Sequence, residues 1–497
     1  MEDKQFKGKL IHGISWAFIQ QIITYLTVFI FGVILARLIS PEEFGLVGIV
    51  GIFLGILPLF VDGGFANALK QRRTCTDEDF STVFYFNLAM SIFLYLILFL
   101  SAKYIANFFN NEKLILITQV LGVNLILSSL ASIQNVILSR RLDFKLIAKA
   151  TVIAQIVSGI IAVTGAYFGL GIWALVLRTI IQSLLITVLL FTFNEWKPKF
   201  IFNLNILIEL FPYGSKLFLG RLISVLFKNA FIFVIGKFYS PTQLGYYTRA
   251  NNFSQLPSQN LTMIVQKVAF PAFSQIQDDK IKMLAVNRKM MKLLMFISSV
   301  LMIGLAASSE AFVISLIGEK WRPSIIYLQI LSFALLLYPA HSININILNV
   351  LGRSDLSLKL VVIKNILMIP VIYAGIEFGI IWMLLGMVIY SIAVFFINGI
   401  WANKLINYSV IKQLSDIIPS LIIALIVGII IFYTPLIFKI SDNSLITLFL
   451  QVSLGFLLTI FIGEIVKYKP YMELKEILII YIFKPVRNKI FSKKNEY

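Results

Sequence analysis

The sequence predicts an all-α polytopic membrane protein with fourteen transmembrane helices, arranged as two pseudo-twofold-related six-helix lobes plus two C-terminal helices. Three observations predict it. Of 497 residues, 59% are hydrophobic and only 13% charged, against roughly 25% charged in an ordinary soluble domain, and the mean hydropathy is +0.89. The apolar residues fall into fourteen runs, each of about the 20 residues a helix needs to cross a bilayer. Similar strings also recur in the same order about 200 residues apart, the mark of an internal repeat.

The runs cover 14–38, 44–68, 81–104, 114–138, 147–168, 171–193, 211–237, 246–270, 291–316, 325–350, 357–378, 380–403, 417–438 and 443–466. Helices are the default inside a bilayer, because backbone groups there must be bonded within the segment. A barrel would show short alternating segments in a mostly polar chain. The weakest run is 246–270, which opens on the polar string RANNFSQLPSQN. The charged start MEDKQFKGKL leads into an apolar run too long for a cleaved leader and reads as an uncleaved first helix. These runs predict an N-terminal lobe at 1–200, a C-terminal lobe at 201–410, two added spans at 411–466 and a basic tail at 467–497.

Charge gives the orientation. The net charge is +19. With the N-terminus in the cytoplasm, 31 of the 43 Lys and Arg fall on that side and 8 on the other. Positive loops stay inside, so both ends are expected in the cytoplasm. Much of the surplus is therefore topology and contact with anionic headgroups, as at Lys282–Lys292 and in the tail, and nucleic acid is excluded as a partner. The lone Cys75 excludes an internal disulfide and a cysteine metal cluster. With only His12 and His341, far apart, no metal site is expected. Trp16, Trp173, Trp321, Trp382 and Trp401 mostly fall at span ends, where interfacial anchors sit.

In the repeat, ARLISPEEFGLVGIVGIF (36–53) aligns with GKFYSPTQLGYYTRANNF (236–253), matching Ser40, Pro41 and Gly45 to Ser240, Pro241 and Gly245. ILSRRLDFKL (137–146) parallels ILNVLGRSDLSLKL (347–360), and GLGIWAL (169–175) parallels EFGIIWML (377–384). An even number of spans per half gives a parallel repeat about the membrane normal, a layout of secondary transporters. The chain carries neither a phosphate-binding loop nor a dinucleotide fingerprint, and no loop long enough for a catalytic domain, so no enzymatic activity is expected.

Beyond the 31 and 8 assigned to the two sides, four cations lie within the runs: Arg178, Lys216, Arg221 and Lys228. An intramembrane charge faces water, a partner or the bundle interior by default. Arg221 and Lys228, seven apart, share a helix face. Together with Arg178, Arg249 and Arg37 they are the candidates for a substrate-binding cationic cavity, suited to phosphate or acidic groups. The competing reading is that they snorkel to headgroups or form structural pairs. Asp62, before the Gly63–Gly64 break, reads either as a coupling carboxylate or as a cap on that break. Asn124 lies on a polar stripe of the fourth run, and His341 on one of the tenth. Both are candidates for gating, against a bland role in helix–helix hydrogen bonding.

The segments ARLISPEEFGLVGIVGIF and FVDGGFANALKQRR, with ILSRRLDFK, GLGIWALV, SPTQLGYYTRANNFSQLP and VAFPAFSQIQDD, resemble a known branch of membrane proteins. This is the polysaccharide transporter (Wzx-type lipid-linked oligosaccharide flippase) branch of the multidrug/oligosaccharidyl-lipid/polysaccharide exporter superfamily. The resemblance covers residues 10 to about 400. It implies a V-shaped transporter moving an undecaprenyl-diphosphate-linked oligosaccharide between leaflets of the bacterial cytoplasmic membrane by alternating access. It also implies a cationic central cavity, the two extra helices beside the lipid tail, and no cofactor beyond H+ or Na+ coupling. The partners implied are the lipid-linked substrate, membrane lipids, a polysaccharide polymerase and a chain-length regulator. A cation-coupled exporter of drugs or small molecules is the alternative within the superfamily. It calls for carboxylates inside the lobes, whereas the spans here hold mainly cations.

Overall fold

A computed structural model describes residues 2–438 and 444–479. These fold as helices and connecting turns, with no strand among the described residues. The helices gather into two compact units, Met1–Thr248 and Arg249–Tyr497. The first holds α1 (Glu2–Leu38), α2 (Pro41–Asp62), the short α3 (Phe65–Gln71), α4 (Asp77–Phe108), α5 (Leu114–Arg140), α6 (Phe144–Tyr167), α7 (Ile172–Phe193) and α8 (Leu204–Phe238). The division falls inside α9 (Pro241–Ile264). The second unit holds α10 (Phe270–Ser274), α11 (Lys280–Ala307), α12 (Ser309–Ile317), α13 (Ser324–Leu335), α14 (Tyr338–Val350), α15 (Ser354–Phe378) and α16 (Ile380–Ile406). It ends with α17 (Val410–Ile437), α18 (Ser444–Ile465) and α19 (Lys469–Leu478).

Among the described residues thirteen segments are long and apolar enough to cross a membrane, α13 and α14 counting as one. The chain is thus an all-helical polytopic membrane protein, with thirteen such segments where fourteen were expected. The difference is the run at 246–270. There α9 is 24 residues long but polar, and its side chains bond one another along the helix. Gln255 Nε2 donates to Asn251 Oδ1 at 3.0 Å, and Gln259 Nε2 to Gln255 Oε1 at 2.6 Å. Three other expected runs are interrupted, among them 291–316, where Ser308 separates α11 from α12. Gly63 and Gly64, with φ of +54° and +84°, end α2 and start α3 inside 44–68. The run 325–350 is broken between α13 and α14.

Local chemistry sets the helix starts. Ser40 caps α2 through a reciprocal box: Glu43 N donates to Ser40 Oγ at 3.4 Å, and Ser40 N to Glu43 Oε2 at 3.0 Å. The other Glu43 oxygen accepts from Ile172 N at 2.7 Å, tying this turn to the start of α7. In the repeated string Ser240 Oγ accepts from Gln243 N at 3.2 Å, so Pro241 occupies the same first-turn position as Pro41. The two strings also meet. A Cβ added at Gly45 would stand 1.8 Å from the Pro241 carbonyl oxygen, and one at Gly245 would stand 1.9 Å from that of Pro41. Each turn therefore uses its glycine to admit the other's backbone. The Arg-x-Asp strings diverge: Asp143 caps α6 by accepting from Leu146 N at 3.3 Å, while Arg353 forks onto Asp355 with two contacts of 3.0 Å.

The first unit's core near the α3 end packs Phe65, Leu69 and Phe84 with Trp196 and Leu207. The second unit's larger core gathers Phe273, Met291, Met295, Ile343, Phe395 and Tyr408. Of the tail expected at 467–497, residues up to 479 are described. Its helix α19 docks on α11 and α18 by burying Tyr471 beside Phe296. The remaining tail lies outside the described residues.

Candidate functional site

The first unit places Arg221 at the α2–α3 break. Gly64 lies so close to α8 that a Cβ there would stand 2.2 Å from the Gly214 carbonyl oxygen. Two turns further along α8, on the Gly214 side, the Arg221 guanidinium reaches the Asn67 side-chain oxygen with contacts of 2.9 and 3.2 Å. Asp62 Oδ1 accepts from Ala66 N at 2.9 Å, and its carboxylate attracts both Arg221 and Lys70. Asp62 thus caps the break and faces two cations. Lys70, just outside the span, is exposed as a whole residue while protein packs around its ammonium group. Burial pushes its ammonium below the ordinary lysine pKa, the Asp62 carboxylate pulls it back up, and Arg221 adds to the lowering.

The other candidates are dispersed. Lys228 continues the Arg221 flank of α8 and is exposed, as is Lys216. Arg178 is half-buried on α7 and makes no hydrogen bond or ion pair among the described residues. Arg37 is exposed at the end of α1. In the second unit the Arg249 guanidinium lies 6.0 Å from the Trp321 ring centre. Trp321, expected among the interfacial anchors, is fully buried. Asn124 Oδ1 is buried on α5 with no hydrogen-bond partner among the described residues. His341 Nε2 meets the Ser391 carbonyl at 3.0 Å and Asn344 Nδ2 donates to Gln413 Oε1 at 3.0 Å, so the α14 stripe joins α16 and α17.

One ionic centre escaped the sequence reading. Asp416 on α17 is buried and accepts from Arg288 Nε at 2.7 Å, Arg288 Nη2 at 2.9 Å and Tyr408 Oη at 2.8 Å. Lys292 Nζ lies 3.0 Å away. The stretch expected to touch headgroups is therefore part of one continuous helix, α11, and two of its cations are tied to α17. The available signal was the one-turn spacing of Arg288 and Lys292, which presents both to a single partner.

The comparisons with known proteins agree with this architecture. A family model described as polysaccharide biosynthesis protein matches residues 34–326. The chain is 27% identical to the teichuronic acid biosynthesis protein TuaB of Bacillus subtilis, over 60% of this chain and 62% of that protein, less than two thirds of its length. It is 26% identical to the lipopolysaccharide biosynthesis protein WzxC of Escherichia coli, over 74% of this chain and 75% of that protein. Among solved structures, the lipid II flippase MurJ in an inward closed conformation superposes with a TM-score of 0.73 at 18% identity. That match covers 93% of this chain and 99% of MurJ, and it shows a shared fold. With more than half of its length matched by the family model, the chain belongs to the family of polysaccharide biosynthesis proteins.

Proposed function

We propose that this protein carries an undecaprenyl-diphosphate-linked oligosaccharide from the inner to the outer leaflet of the bacterial cytoplasmic membrane by alternating access, without a covalent step. The observation that carries the reading is Arg221, a guanidinium within the 35-residue helix α8, held by a neutral amide beside the α2–α3 break. A guanidinium anchored by Asn67 keeps donors for the forked bonds a diphosphate accepts. The names of TuaB and WzxC place those relatives in polysaccharide assembly, which supports the cargo class.

In this reading Arg178, Lys228, Arg249 and Arg37 add to the substrate-binding surface. Asp62 takes part in H+ or Na+ coupling, and Asn124 and His341 act in gating. The repeats correspond to lobes at 1–200 and 201–410 with two added helices at 411–466, and both chain ends are cytoplasmic. The partners are membrane lipids, a polysaccharide polymerase and a chain-length regulator. Reconstitution into vesicles with a fluorescent lipid-diphosphate-linked oligosaccharide tests the reading through leaflet exchange. Arg221→Ala and Lys228→Ala should each slow exchange roughly tenfold or more, equivalent to one lost charged contact. Arg221→Lys should rescue part of the loss, since it keeps the charge and loses the fork. Normal exchange in both alanine variants would remove the cationic-site assignment. Exchange of no anionic lipid diphosphate by the wild type, with uptake of a cationic dye instead, would favour the drug exporter.

A further inference from the structure

We propose that an apolar groove of the first unit, between the α2–α3 break, α4 and the first half of α8, binds the prenyl chain of an anionic lipid diphosphate. This deepens the flippase reading and rests on it. It places a lipid chain in a different part of the protein from the two C-terminal helices to which the family resemblance assigns the tail.

The groove encloses about 600 Å³, and all of its lining lies within residues 60–219. Phe60 and Phe65 stand on either side of the glycine break, Phe86 comes from α4, and Leu207, Phe211 and Phe218 come from α8. On α8 the lining positions recur at three- and four-residue steps from 204 to 219, so one helix face builds a whole wall. Ser215 is the sole hydroxyl in a lining otherwise made of phenylalanine, leucine, isoleucine and glycine. The opposite walls are fixed by ring contacts: Phe60 meets Phe218 edge to face at 5.1 Å, and Phe65 meets Phe86 in the same way at 5.1 Å. The concavity is thus built into the fold, as in apolar ligand sites. Pro212 lies on this stretch and leaves the Ile208 carbonyl without its helical donor.

The borders of the groove say what kind of lipid it suits. With 100° per residue, Arg221 lies along one flank of the lining stripe, on the Gly214 side, and Lys216 lies along the other. Lys70 stands beyond the α2–α3 break, in the field of Arg221 and Asp62. The neighbouring acids are already engaged: Asp62 by the Ala66 amide and Glu209 by Arg72 at 3.3 Å. The cations therefore outweigh the acids beside an apolar, aromatic trough. That combination suits a lipid with a highly charged phosphate head and a long hydrocarbon chain. A neutral lipid would gain nothing from the flanking charge.

The test uses the full chain in vesicles of neutral phospholipid carrying, in separate arms, a diazirine-bearing polyprenyl diphosphate, phosphatidylglycerol or phosphatidylcholine. After illumination, labelled peptides are mapped by mass spectrometry, and leaflet exchange is measured in parallel. Labelling of peptides spanning 60–65 and 204–219 should be strongest with the polyprenyl diphosphate. It should fall about tenfold in Ile208→Trp and Leu219→Trp, the scale of 1.4 kcal/mol of lost binding. Both positions are exposed lining residues, so added bulk fills the groove at little cost to folding. Equal labelling by phosphatidylcholine or phosphatidylglycerol, or unchanged labelling in both folded variants, would overturn the proposal. Groove labelling without leaflet exchange in the wild type would leave the groove standing and sink the flippase reading. Exchange without groove labelling would do the reverse.

Discussion

At the scale of single residues, the charges that matter are those the helices cannot leave to water. Asp416 is the clearest case. Its side chain is 4% exposed, while Arg288 and Lys292 keep 41% and 34% of theirs. Breaking a fully buried pair costs about 3–5 kcal/mol, and the solvent reaching both cations lowers that to roughly 2 kcal/mol here. Asp416→Asn should therefore drop the thermal midpoint by several degrees. Arg353→Ala, which removes the exposed fork onto Asp355, should leave the midpoint nearly unchanged, since solvent screens the pair. Scanning calorimetry or a thermal-shift assay on the purified protein would compare the two, and equal midpoints would contradict the assignment. Arg221 and Asp62 were legible in the sequence because a charge inside an apolar run stands out. Asp416 was not, since it precedes the run at 417–438 and its partner Arg288 lies 128 residues away. No local pattern encodes a pairing across that distance.

At the scale of elements, glycine decides how closely helices approach. Gly64 and Gly220 have different surroundings. Gly64 adopts φ +84° and faces the Gly214 carbonyl, so Gly64→Ala meets both backbone strain and a 2.2 Å clash that no rotamer relieves. Gly220 has nothing within 4 Å of an added Cβ. Gly220→Ala should leave stability unchanged or raise it by about 0.5–1 kcal/mol, the helix preference of alanine. Gly64→Ala should largely abolish the monodisperse folded protein in detergent. Size-exclusion chromatography of fluorescent fusions reads both, and a normal Gly64→Ala profile would refute the close approach of α3 and α8. Helix existence was legible from periodicity and length. The close approach of Gly64 to Gly214 and the docking of α19 were not, because both depend on what the neighbouring helix presents.

At the scale of the whole molecule, hydropathy and charge carried the architecture: a polytopic helical protein, with only the polar α9 falling short of a span. The orientation proposed from charge has a built-in reporter, the single cysteine. Cys75 lies between α3 and α4, on the side assigned to the cytoplasm. Burial pushes its thiol above the ordinary cysteine range, against the pull of Arg140, so less thiolate is present at neutral pH and labelling should speed up as pH rises. An impermeant maleimide at mildly alkaline pH should leave intact cells unlabelled and react after permeabilisation, whereas labelling of intact cells would reverse the assigned orientation. The paired turns at Pro41–Gly45 and Pro241–Gly245 have a consequence for engineering. Because each glycine makes room for the other turn's main chain, a chimera that takes one turn from a relative with a side chain at either position would jam the untouched turn as well. The two stretches must therefore be transplanted as a matched set, although nearly two hundred residues of sequence separate them.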